Sequence, residues 1–290
     1  MQSRAGPGMA CMIGGTFVLT CHDSLAKWMT GSYAVAEVMF YRSVFALVIL
    51  ALALWYEGGP TAFVPRSPKA NLLRAVLATV TSFLVVAAYA VLPLADALAI
   101  VFASPIFLTA LSVPMLGERV GWHRWAAVLI GFFGILVMTD PTANVWRIGS
   151  LFAIGAALSA ALRDIITRRM GTLDSATNVL FVTTALTLLV GWVLLPEHKV
   201  LPGPTDLALF ALAGALSTAA HWLIIKAFQL ASASQVAPLR YLAIVYAGIL
   251  GFLFFDEIPG IAQILGAGLV VCAALYIWHR ERVTQQLTSR

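Results

Sequence analysis

Charge is scarce in this chain: Asp, Glu, Lys and Arg make up 11% of its 290 residues, against roughly a quarter in an ordinary soluble domain. No polar stretch is long enough to hold a separate soluble domain, and no GxxxxGK[ST] loop is present to cradle phosphate; both speak against an ATP-driven pump. Only three cysteines occur, Cys11, Cys21 and Cys272, all inside apolar runs and without CxxC or Cys/His spacing. Neither a disulfide framework nor a metal site is indicated, and no cofactor is expected. GxSxG and HExxH are absent as well, which disfavours hydrolytic chemistry.

Apolar residues take the place of what is missing. They form 61% of the sequence, and the mean hydropathy is +0.91. A spanning helix needs about 20 mainly apolar residues, so this length admits about ten spans with short connections. Lipid cannot satisfy free backbone amides, which leaves helix bundles and closed barrels. These runs far exceed the alternating ten-residue segments of a barrel. The expected class is therefore all-α and integral to the membrane. Runs bounded by Pro, Gly and charge place spans near 8–29, 33–56, 70–92, 95–117 and 121–139, then 147–170, 175–195, 205–229, 235–255 and 260–279.

With the N-terminus inside, twelve of the 18 Lys and Arg residues fall in cytoplasmic connections and tails. Lys27, Arg147 and Lys199 fall outside, while Arg42, Arg163 and Arg240 lie within spans. The bias predicts a multi-pass protein of the inner membrane with both termini cytoplasmic. The net charge of +5 thus reflects topology, and no basic stripe suggests nucleic acid. A cleaved signal peptide is disfavoured, because the first apolar run continues into His22-Asp23.

An offset of 139 places Thr79 over Thr218, Ala88-Tyr89 over Ala227-Phe228, Leu111 over Leu250, Glu118 over Glu257 and Gly121 over Gly260. Near the start an offset of 141 places Gly14 over Gly155, Asp23 over Asp164 and Met29 over Met170. Five spans per half is an odd number, so the second half, 141–290, enters the membrane upside down relative to the first, 1–140. Such inverted repeats are a recurrent architecture of secondary transporters, with the substrate bound near the midplane between halves.

The residues at the span ends carry a family resemblance. Gly117-Glu118-Arg119 ends the fourth span, Asp256-Glu257 echoes it at the ninth, and Ala237-Pro238-Leu239-Arg240-Tyr241 opens the ninth. With Tyr41-Arg42 and Pro105, their order resembles the drug/metabolite transporter superfamily and, within it, the ten-helix EamA-type carriers. The resemblance implies a basket-shaped bundle whose central cavity is lined by spans 1, 3, 4, 6, 8 and 9, with spans 5 and 10 peripheral. It also implies transport of amino acids, drugs or other metabolites, and the chain looks like the YddG branch of aromatic and neutral amino acid exporters.

Intramembrane charge marks the first candidates for that function, since each charged group at mid-bilayer costs about 2.5 kcal/mol or more. Asp23 and Asp164 are expected near opposite ends of their spans, beside Lys27 and Arg163, as matched gates or as local ion pairs. On span 8, Gly214, Ser217, Thr218 and His221 share one face, with Trp222 adjacent. Thr79 and Ser82 form the corresponding stripe on span 3. Such stripes serve either helix packing or a cavity. Arg42 and Arg240 are candidates to bind a carboxylate, the latter because Pro238 frees backbone groups beside it. Pro105 is expected to kink span 4, and Tyr89, Phe102, Tyr241 and Tyr246 are candidate aromatic walls. Glu118 and Glu257 are expected to accept bonds from the N-terminal amides of the helices that follow them, spans 5 and 10.

Together these readings predict a secondary carrier exporting aromatic or other neutral amino acids. A drug or other metabolite carrier is the alternative, and an intramembrane enzyme using His22-Asp23 or His221 ranks below both. Mixed Arg, Asp, His and aromatic groups suit a zwitterion with an apolar side chain better than a polyanion. The expected partners are the small-molecule substrate, the bilayer and, as a candidate coupling ion, the proton. Oligomeric state is left open by the sequence.

Overall fold

The computed structural model describes residues 5–116, 122–138, 144–170, 174–197, 201–231 and 236–288. Among them every regular element is helical: α1 (Ala5–Thr30), α2 (Val35–Gly58), α3 (Pro68–Tyr89), α4 (Leu94–Val101), α5 (Ser104–Leu116), α6 (Trp122–Met138), α7 (Asn144–Met170), α8 (Ala176–Val193), α9 (Pro204–Leu230), α10 (Leu242–Phe255) and α11 (Ile261–Thr288). Short 3-10 turns at Gly59–Phe63 and Ala237–Tyr241 precede α3 and α10. Seven segments are long and apolar enough to cross a membrane, with α4 and α5 counted as one, Leu94–Met115; three shorter apolar stretches, Trp125–Val137, Leu239–Phe255 and Ile261–Ala273, accompany them.

Local chemistry sets the ends. The Ala34 amide at the start of α2 donates to Glu37 Oε2 at 2.8 Å, and α2 stops where Gly59 takes φ 61°, a region that favours glycine. Pro68 and Pro204 open α3 and α9, where a missing N–H costs nothing. Pro105 has a larger effect than a kink. It has no N–H to bond Val101, and the fourth span breaks at Phe102–Ala103 before α5 resumes with the proline in its first turn. At the other end of the chain, α11 runs well past the apolar stretch that predicted its span, into a polar segment of good helix formers.

Packing follows the small residues. α1 lies along α9, where an added Cβ at Gly15 would meet Leu223 at 2.9 Å and one at Gly8 would meet Ala231 at 2.5 Å. α3 lies along α7, whose Ala153, Ala156, Ala157, Ala160 and Ala161 are all buried. Ser159 Oγ donates there to Leu77 O at 2.9 Å. α2 lies along α8 through Gly191 and Phe40, and α6 lies along α11 through Gly134 and Gly266. In a bilayer, where apolar surface gains nothing by leaving lipid, such backbone approach is the main source of packing energy.

These contacts come in matched sets. Shifting every span by five turns α1 on α9 into α7 on α3, and α1 on α10 into α7 on α5; it maps α2 on α8 and α6 on α11 onto themselves. Gly15 meets Leu223, and Gly155 meets Leu84 at 3.2 Å. Leu84 and Leu223 stand 139 positions apart, the offset of the sequence repeat.

Candidate functional site

The antiparallel register of α1 and α9, set by Gly8 against Ala227 and Ala231 and by Gly15 against Leu223 and Ile224, brings His22 level with the Ser217 region one heptad further on. On the α2 side, Gly214 packs against the backbone of Arg42 and Ala46, each 2.8 Å from its added Cβ. Three helices therefore converge on His22, which is 5% exposed. Arg42 Nη1 lies 2.9 Å from His22 Nε2. Arginine offers donors only, so Nε2 accepts and the ring proton sits on Nδ1, 3.1 Å from the Asp23 Oδ1 that receives it. Asp23, His22 and Arg42 thus form one polar chain across α1 and α2. Arg42 Nε is buried in this chain without a hydrogen-bond partner. Tyr89 belongs to the same neighbourhood, within electrostatic reach of Asp23 and Arg42. His221 joins from α9: its Nδ1 donates to Ser217 O at 2.7 Å, with His22 and the guanidinium groups of Arg42 and Arg163 within electrostatic reach.

Toward the end expected to face outward, Lys27 does not pair with Asp23. It reaches Glu257 Oε1 at 2.8 Å and also donates to the carbonyls of Tyr89, at 3.0 Å, and Leu92. Glu257 differs from expectation too. Its Oε2 accepts a helix N-terminal amide, but that of Leu94 in α4, at 2.8 Å, instead of one from the following helix α11. The reason is local. Asp256 takes the left-handed φ of 53°, and the Glu257 amide turns back to Gly251 O at 3.1 Å, which aims its side chain into the bundle. Lys27 and Glu257 therefore lock α1, the α3–α4 corner and the segment after α10 together.

At the opposite end, Arg163 donates through Nε and Nη2 to Asp164 Oδ1, both at 3.0 Å. Arg74 Nε donates to Thr167 Oγ1 at 3.0 Å, and Arg240 lies within electrostatic reach of Asp164 and Arg163. Between the two ends, Phe102 and Tyr241 meet with ring centroids 5.5 Å apart. Each marks a helix interruption: Phe102 follows α4, and Tyr241 ends the 3-10 turn before α10.

Other sequence candidates are placed elsewhere. Thr79 is buried and hydrogen-bonded to Thr187 of α8 at 3.0 Å, a helix-packing contact. Thr218 Oγ1 returns to Gly214 O at 2.9 Å. Ser82 and Ser217 are half-buried. Trp222 turns away from His221 and is 55% exposed, with Lys226 Nζ 5.6 Å from its ring centroid. Tyr246 stacks edge-on against Phe17 at 5.4 Å. Pro238 lies in the 3-10 turn, and Glu118 lies outside the described residues. Among the described residues no group of His, Cys, Asp and Glu is arranged to hold a metal.

Two residues of this region escaped selection as site residues. His22 stands out in the sequence only as a rival catalytic group, although it sits in the same apolar run as Asp23. Asp96, 3% exposed, interrupts the apolar run of span 4 and meets the criterion of intramembrane charge used for the others.

The EamA-like transporter family matches the chain twice, at residues 6–140 and 147–278. An S-adenosylmethionine uptake transporter of Rickettsia prowazekii (strain Madrid E) is 28% identical over 262 residues, covering 90% of this chain and 88% of that protein. A riboflavin transporter of Rhizobium johnstonii is 29% identical, covering 96% and 93%. The pseudopaline exporter CntI of Pseudomonas aeruginosa is 26% identical, covering 92% and 94%. A crystal structure at 18% identity superposes with a TM-score of 0.60 over 92% of this chain and 95% of its own, a likeness of fold.

Proposed function

The chain belongs to the EamA-like transporter family, and from that premise we propose that it is a secondary carrier for a metabolite with an α-amino-acid head and a larger body, of the class of S-adenosylmethionine. Membership and the described relatives make it a multi-pass membrane transporter of small molecules. The finer reading takes ten spans in two inverted halves, 1–140 and 141–290, set in the inner membrane. Its support is the double family match and the matched helix contacts. A small organic substrate needs no soluble machinery for alternating access between such halves.

One observation carries the substrate class. Asp23 and Arg42 stand at the two ends of a chain through His22, with Arg42 Nε left without a partner and Tyr89 close to Asp23. A carboxylate suits the guanidinium, and an ammonium suits the aspartate; one α-amino-acid head presents both. The meeting of two interrupted helices at Phe102 and Tyr241 adds aromatic surface for an apolar or heteroaromatic body.

Export of free aromatic or neutral amino acids, the expectation from sequence alone, needs the same head-group contacts. The relatives are described by S-adenosylmethionine, riboflavin and pseudopaline, and so favour the alternative, carriage of another metabolite. Riboflavin shares the heteroaromatic body and lacks the amino-acid head, so it is the informative competitor.

Counterflow in proteoliposomes holding the purified protein tests this reading. Labelled S-adenosylmethionine is expected to exchange saturably, with excess unlabelled compound competing. Arg42→Ala is expected to weaken that exchange by about tenfold or more, as loss of a charge-assisted contact implies. Exchange of tryptophan without S-adenosylmethionine would restore the amino acid reading, and exchange of riboflavin alone would remove the head-group argument.

A further inference from the structure

We propose that Asp96 is a proton-binding site of the carrier, set in a crevice beside the Lys27–Glu257 pair and separate from the His22 group. The crevice lies between α4, α10 and the segment after α10, and Pro93, Asp96, Gly248, Gly251, Glu257 and Pro259 line it. Asp96 is 3% exposed, borders this space, and has no hydrogen-bond partner among the described residues. Lys27 and Glu257 are the charged groups within its reach.

Charge balance makes the case. Two carboxylates share a single ammonium, so one negative charge is left in a buried setting where an uncompensated charge is costly. Glu257 is already satisfied at both oxygens: Lys27 holds Oε1, and the Leu94 amide donates to Oε2. It also occupies the N-terminus of α4, so the dipole of that helix is already met by another carboxylate. Asp96 is the group that lacks a counter-ion. A proton on one of its oxygens removes the charge and lets the resulting O–H donate.

The shape of the crevice selects the ion. It has room for about one water molecule and is walled mainly by proline, alanine and glycine. A metal cation held as a hard ion needs several oxygen ligands around it. Two carboxylates in a space of that size do not supply them, and a proton needs only one.

This inference rests on the carrier reading for its use in coupling, but binding of the proton can be read without any substrate. Infrared difference spectra of the purified protein are expected to show a protonated buried carboxyl at neutral pH. The band is expected to vanish in Asp96→Asn, to return at a shifted position in Asp96→Glu, and to be indifferent to replacing sodium with choline. A band of full intensity in D96N, or no such band in the natural protein, overturns the proposal. A band that sodium abolishes replaces the proton with a metal cation and overturns it equally. In proteoliposomes, D96N is expected to keep counterflow and to lose accumulation driven by a pH gradient; undiminished gradient-driven accumulation overturns the coupling. Failure of S-adenosylmethionine to exchange would remove the substrate reading and leave the infrared result intact.

Discussion

Phe102 and Tyr241 stand 139 residues apart in the chain, the offset that brings its two halves into register, and their rings meet with centroids 5.5 Å apart. On the carrier reading, such a contact between equivalent positions lies where the two halves face each other. Each ring also sits at the point where its helix is interrupted and backbone groups are released. On that reading the contact responds to relative movement of the halves. Aromatic pairs of this kind contribute about 0.5–1.5 kcal/mol beyond their buried area. Phe102→Ala and Tyr241→Ala are each expected to lower the melting temperature and to slow exchange, and the double variant is expected to cost less than the sum of the two. Additive losses in a double-mutant cycle would show that the rings are not coupled.

The Lys27–Glu257 pair predicts an asymmetry of a different kind. Both side chains are largely buried, so removing one partner leaves the other without its direct counter-ion, a loss of up to about 3–5 kcal/mol that an ionised Asp96 offsets in part when Glu257 is the one removed. Glu257→Ala is therefore expected to destabilise the protein strongly, and Lys27→Met in the same chain to recover part of the loss. The Leu94 amide stays unpaired in both, so recovery is expected to be incomplete. Thermal unfolding of the two single variants and the double variant in detergent measures this; a double variant as unstable as the sum of the singles would mean the ions do not act as a pair.

The helical membrane class was legible because bilayer chemistry writes it in long runs: apolar length announced an all-helical chain, of which seven segments are long and apolar enough to cross a membrane. Pro105 was visible as a disturbance, but a single proline does not say whether a helix bends or breaks. The site was legible only in part. Intramembrane charge singled out Asp23 and Arg42, yet their connection runs through His22, and a histidine's value depends on partners from another helix. Glu257 shows the limit most clearly. Its role at a helix N-terminus follows from residue type, whereas the identity of that helix depends on the left-handed turn at Asp256 and on the packing of α10 against α4. Thr79 and Trp222 carry the right residue types on the right spans and are directed elsewhere by their neighbours, Thr187 and Lys226.

Gly251 is the position where one added methyl group reaches that same network. A Cβ built there comes within 3.0 Å of Glu257 Oε2, the oxygen that accepts from Leu94. Gly251→Ala is expected to push the carboxylate off the α4 amide and to destabilise the protein by about 1–3 kcal/mol, the usual scale of overpacking. Shortening the acid in Gly251→Ala/Glu257→Asp is expected to relieve the clash. Melting curves check both, and a fully stable G251A would show that the carboxylate can move aside without loss.

The last prediction concerns pH and lies outside the spans, in the connection between α1 and α2. Tyr33 Oη donates to Asp206 Oδ2 at 2.6 Å, tying that connection to the first turn of α9. The hydrogen bond to the carboxylate, followed by burial, pushes the phenol up to about 12 from its ordinary 10. The sign follows from which form is bound. Protonated tyrosine is the stabilising form, so the contribution is complete below pH 10, the unfolded value, and is lost as pH rises through about 12. Tyr33→Phe is expected to remove about 2 kcal/mol at neutral pH and to abolish this part of the alkaline loss of stability. Melting temperatures of the two proteins between neutral pH and pH 12 are the measurement. Curves that converge at the alkaline end carry the prediction, and curves that coincide at every pH would mean that Tyr33 contributes only through its ring packed on Phe210, with centroids 5.2 Å apart, which Tyr33→Phe retains.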